Sequence, residues 1–131
     1  MVHYPNDYKF GLEKQQAIFP ILQKHFGNDL RETTERYAKY DFVSPNAFFE
    51  LKSRKNKKNA YPTTLLTCNK VLEIKEDQEQ YFIFNFTDEL CYIKYDKDLF
   101  DTFEKKPYSR LNVDWDKKDY LFIPIDKLIT I

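Results

Sequence analysis

The sequence predicts one α/β domain over residues 1–131, with a mixed central sheet flanked by helices and extra strands towards its C-terminal end. Three observations predict it. Apolar residues recur at helical spacing over 10–26, two β-type runs flank the turn sequence Ser44-Pro45-Asn46-Ala47, and residues 80–86 form a nearly continuous apolar run. A run of that last kind suits a strand covered on both faces. With 131 residues, 42% hydrophobic and 18% aromatic, the chain is long enough to enclose its own core.

Taken in order, Leu12, Ile18, Phe19, Ile21, Leu22 and Phe26 mark the first helix, and Gly27 is a natural stop. Pro20 lies inside this pattern and should kink the helix or begin a second one. A short strand is expected over 30–36. The runs "YAKYDFVS" and "AFFELKSR" then form a hairpin about Pro45-Asn46. After the basic loop 52–59, Thr63 or Thr64 can cap a helix to about residue 73, with Leu65 and Leu66 facing inward. The apolar strand 80–86 follows, then a strand over 90–96, a helical turn over 98–105, and a closing hairpin of 110–116 with 120–125. There is no internal repeat, low-complexity tract or linker.

Composition excludes several function classes. The only glycines are Gly11 and Gly27, so neither a P-loop nor a dinucleotide fingerprint can be built. No apolar run approaches the roughly 18–20 residues of a membrane span. The first residues lack the basic start and apolar centre of a signal peptide, so an intracellular protein that is not secreted is expected. Cys68 and Cys91 lack CxxC spacing and are read as reduced thiols, while His3 and His25 are too scattered for a zinc site. The net charge is zero, yet residues 1–75 carry 13 Lys/Arg against 8 Asp/Glu, and the remainder 8 against 13. A neutral chain with a basic half can still present a positive face to nucleic acid.

The hairpin holds the chemistry. A two-residue loop at Pro45-Asn46 pairs Ser44 with Ala47, and every later pair keeps the same index sum, which sets Asp41 opposite Glu50. Cross-strand neighbours have Cβ atoms about 4.5–5.5 Å apart, and alternation puts Lys52 on the face of Glu50. Two carboxylates so close repel unless one is protonated or a cation lies between them. Hard oxygen ligands suit Mg²⁺ or Mn²⁺. The Leu51 carbonyl can add a third oxygen, and Lys52 can hold or polarise a water. The same charges would also serve as a solvated cross-strand ion cluster contributing about 0–1 kcal/mol.

Asp41 followed by Glu50-Leu51-Lys52 at a strand end resembles the PD-(D/E)XK nuclease superfamily, with Tyr40 in place of the motif's proline. The resemblance covers about residues 10–86. It implies a restriction-endonuclease-like αβββαβ core, metal binding by Asp41, Glu50 and the Leu51 carbonyl, assistance from Glu13 on the first helix, and Lys52 as the catalytic lysine. The function expected from it is metal-dependent endonucleolytic hydrolysis of DNA, structure-selective or nonspecific.

Arg54, Lys55, Lys57 and Lys58 are then expected to contact phosphates, with Tyr61 stacking on a base and Lys70 facing the substrate backbone. A homodimer through the aromatic C-terminal hairpin is a further expectation from size. The ratio of 17 Lys to 4 Arg suggests an AT-rich coding sequence, as in a virus, phage or mobile element. Two other classes stay open: a non-catalytic nucleic-acid-binding or assembly protein of the same fold, and an interaction module using the acidic residues Asp114, Asp116 and Asp119.

Overall fold

The computed structural model describes residues 5–33, 40–72, 74–75, 77–108 and 118–131, with side chains described from Glu13 onward. Its first element follows the helical apolar spacing: α1 runs from Pro5 to Phe26 with Pro20 inside. Pro20 is exposed, as is Gln16, whose carbonyl it cannot bond, so water can take that acceptor and the helix continues. Gly27 ends it at φ 126°, its N–H donating to the Gln23 carbonyl at 2.9 Å. Glycine is favoured here because its backbone lies in the left-handed half of conformational space.

Strands β1 (Arg31–Glu32), β2 (Phe42–Ser44) and β3 (Ala47–Ser53) form an antiparallel meander. The hairpin has the expected register, Ser44 with Ala47, Val43 with Phe48 and Phe42 with Phe49. β5 (Glu79–Asn85) lies parallel to β3, β6 (Leu90–Lys94) pairs antiparallel with β5, and β9 (Ile129–Thr130) pairs antiparallel with β6. The order is β1-β2-β3-β5-β6-β9. The parallel pair requires a crossover, which carries the chain off the sheet between Ser53 and Glu79.

That crossover corrects one expectation. Residues 63–67 are strand β4 (Thr63–Thr67), and only the five residues of α2 (Cys68–Leu72) are helical. Three β-branched threonines in five residues disfavour a helix, and burial alternates with period two, Thr64 and Leu66 inward. β4 joins a second sheet, β4-β8-β7, with β7 at Glu104–Tyr108 and β8 at Lys118–Pro124. The closing hairpin is also corrected: β8 pairs with β4 and β7, while 110–116 lies outside the described residues, as do Asp114 and Asp116. The helical turn over 98–105 is α3 (Lys97–Phe100) followed by β7. Of the strand expected over 30–36, only β1 is described.

The molecule is therefore α/β with a mixed sheet and few helices. One face of the large sheet packs on α1 through Ile18, Leu22, Phe42, Phe49 and Ile83. The other packs on the second sheet through Leu66, Phe82, Phe84, Cys91, Leu121 and Ile123. β5 is thus covered on both faces, as its continuous apolar run implies. A sheet, where a helix was expected, covers the second face. Leu121 and Ile123 are buried there, while Tyr120 lies on the other face of β8 against Tyr108.

Candidate active site

Glu50 faces the second sheet. Phe49 lies in the α1 core, and β3 alternates, so Glu50 and Lys52 project from the opposite face beside Phe82 and Phe84 of β5. The Glu50 side chain is 8% exposed. Its Oε1 receives Lys52 Nζ at 3.3 Å and Lys70 Nζ at 3.1 Å. Lys70 arrives from α2, just after β4, so cations from two parts of the chain converge on one carboxylate oxygen. A carboxylate this deep is costly without such partners.

Asp41 sits one residue before β2. The ladder stops one pair short of it: its N–H donates to the Phe49 carbonyl at 3.0 Å, and its Oδ2 accepts the Leu51 N–H at 2.7 Å. A strand residue's N–H and C=O leave on the same edge, so the Leu51 carbonyl also points to the Asp41 edge. Burial raises the Asp41 pKa above 3.8; the Leu51 hydrogen bond counters this, the charge on Glu50 adds to it, and Lys52 and Lys70 oppose it. The residue's main chain is held from two directions. The Thr33 N–H donates to the Asp41 carbonyl at 3.0 Å, its hydroxyl lies 2.7 Å from the Tyr40 carbonyl and 3.1 Å from that of Asp41, and Gln15 Nε2 reaches the Asp41 oxygen at 3.4 Å.

Asp41 thus bonds the Leu51 N–H next to Glu50, and Lys52 and Lys70 meet at the buried Glu50 carboxylate. Glu13 does not join them. It is exposed, and its position on α1 is nearly opposite the stripe of Gln15, Ile18 and Leu22 that faces the sheet. Moreover, α1 covers the sheet face opposite to Glu50. Thr33 and Gln15 carry no sequence signal, because their role depends on contacts across 8 and 26 residues.

The basic loop is pinned in place. The Arg54 N–H donates to the Asn85 carbonyl, the Thr87 N–H to the Asn56 carbonyl, and the Lys58 N–H to Asp88 Oδ1. Arg54 Nη2 donates to the Leu65 carbonyl at 2.6 Å and Nε to Thr64 Oγ1 at 3.3 Å, joining the end of β3 to β4. Its guanidinium also lies 5.6 Å from the Phe84 ring centroid. Arg54 is therefore a strut between the sheets. Lys58 Nζ lies 3.7 Å from Glu89, Lys55 and Lys57 are exposed, and the Tyr61 side chain faces solvent.

Two carboxylates and one main-chain carbonyl form an all-oxygen donor set of a type suited to Mg²⁺ or Mn²⁺, since Mg²⁺ commonly takes one or two carboxylates besides water and phosphate. Among the described residues no three His, Cys, Asp or Glu side chains gather into a metal site. Asp41, Glu50 and Leu51 would accordingly hold the ion without a third carboxylate. The residues fit in chemistry, and Lys52 and Lys70 compete with the ion for Glu50. Comparison with protein-family models, with curated proteins and with solved structures gives no match. No helix of the described residues is long and apolar enough to cross a membrane.

Proposed function

We propose that the chain is a metal-dependent endonuclease that hydrolyses phosphodiester bonds of DNA, structure-selective or nonspecific, working inside a cell. The observation that carries the reading is the convergence of Asp41, Glu50 and Lys52 at a strand end that is followed by a crossover to a parallel strand. A bound Mg²⁺ or Mn²⁺ would supply Lewis-acid stabilisation of negative charge on the phosphate. Asp41 and Glu50 would hold it, and the Leu51 carbonyl would complete the protein's share. Lys52 positions the attacking water and offsets charge that develops as the water attacks phosphorus. Lys70 pairs with Glu50 Oε1 beside Lys52.

The second reading, a non-catalytic nucleic-acid-binding or assembly protein, has its own support: two carboxylates and two ammonium groups balance without any added cation. One experiment separates the two. Supercoiled, linear, single-stranded and branched DNA are incubated with wild type and Lys52→Ala in Mg²⁺ and in Mn²⁺. Cleavage reduced by 100-fold or more in the variant is the expected result, typical of losing a group that acts in the transition state. Binding without cleavage of any substrate would favour the non-catalytic protein.

A further inference from the structure

A cleft of about 550 Å³ opens beside the site, with Lys52 in its lining. Its size lies within the range of small-ligand sites. Lys52, Arg54 and Lys58 supply cations, and no carboxylate occurs among the described residues that line it. Tyr61 and Tyr108 also line it, 63% and 45% exposed. Tyr108 is braced edge-on against Tyr120, with ring centroids 5.8 Å apart. Both exposed rings border the depression beside these cations, of which Lys52 pairs with Glu50 and Lys58 with Glu89.

Cations along a groove with exposed rings form the arrangement that binds single strands: the backbone follows the charge and the bases stack on the rings. A duplex cannot use these rings, because its base faces are already stacked on one another. We propose that this cleft takes an unpaired segment of DNA and leads it to Lys52 and Glu50, so that the protein selects substrates with a single-stranded flank. This rests on the nuclease reading and narrows its substrate. Tyr61 and Tyr108 are the stacking platforms. Lys58 and Lys52 face the phosphates, and Arg54 holds the cleft wall by its bonds to β4.

The test is fluorescence anisotropy with labelled oligothymidylate, a blunt duplex and oligouridylate, in chelator so that nothing is cut. The proposal requires oligothymidylate to bind more tightly than the duplex. Tyr61→Ala should weaken it by about 5- to 150-fold, the range corresponding to loss of one stacked base. Tyr61→Phe, which keeps the ring, should bind like wild type. Tyr61 is exposed, so these variants are expected to fold, and a circular-dichroism melt checks it. Tighter binding of the duplex or of oligouridylate, or no effect of Tyr61→Ala, overturns the proposal. Parallel cleavage assays in Mg²⁺ keep the two readings apart. Tyr61-dependent binding without cleavage removes the nuclease and leaves the cleft. Equal cleavage of duplex and flanked substrates, indifferent to Tyr61, removes the cleft and leaves the nuclease.

Discussion

Replacing Lys52 and Lys70 by methionine, singly and together, tests whether Glu50 is a buried charge compensated from two sides. Methionine keeps most of the apolar stem and removes the ammonium. At about 3.2 Å, and with an effective dielectric near 20, each pair has a gross attraction of about 5 kcal/mol. Most of it is offset by desolvation, and the lysine side chains, 31% and 33% exposed, are partly screened by water. Each single variant is therefore expected to lose only about 1 kcal/mol, because the other lysine still holds Oε1. The double variant leaves a carboxylate that is 8% exposed with neither ammonium, and a loss of about 3–5 kcal/mol is expected. The interaction energy in the cycle is then about 1–3 kcal/mol. Urea unfolding in chelator at pH 7 measures it. Strictly additive losses would refute the reasoning and mean that water already solvates Glu50.

Asp41→Asn should abolish cleavage yet hold or raise the melting temperature in chelator at pH 7. The wild-type carboxyl has a folded pKa above its unfolded value, so its contribution is fullest below about pH 3.8 and is lost as pH rises through the raised value. Asparagine can still accept the Leu51 N–H and carries no charge; a clear fall in melting temperature at pH 7 would count against this sign. Gly27→Ala should cost about 1–2 kcal/mol in urea unfolding, since φ is +126° and the added Cβ would lie 3.0 Å from Asp29 Oδ1. An unchanged midpoint would mean that the helix ends differently. Leu66→Ala should cost about 2–5 kcal/mol, because this side chain, 1% exposed, packs between the sheets. A loss below 1 kcal/mol would place Leu66 outside that core.

What the sequence disclosed was local. The stop at Gly27, the two-residue turn at Pro45-Asn46 and the continuous run of β5 all depend on neighbours within a few positions, and each took the expected form. The hairpin register predicts Asp41 near Glu50; the ladder ends at Phe42 with Phe49, and Asp41 reaches β3 through the Phe49 carbonyl and the Leu51 N–H instead. The second sheet was not legible, because Thr64 and Leu66 alternate over only five residues and the threonines also resemble helix caps. Its partners lie more than 50 residues away in β8. The same distance concealed the site's supports. Lys70 was placed near the substrate, but its hold on Glu50 depends on β4 first lying across the sheet. Glu13 occupied a plausible position in sequence, and the orientation of α1, set by Ile18 and Leu22, turned it away.

The crossover that leaves the large sheet at Ser53 and returns at Glu79 builds part of the other sheet on its way. Arg54 and Lys70, at either side of β4, consequently have their partners only after the two sheets have met. Asp41, Glu50 and Lys52 lie on one hairpin, but the second cation on Glu50, Lys70, arrives only from beyond β4. Contacts that span long stretches of chain form late, since loop entropy opposes them until other contacts reward the closure. A partly folded chain that exposes the Asp41–Lys52 hairpin lacks the Lys70 grip on Glu50. The geometry of this cluster is coupled to completion of the fold.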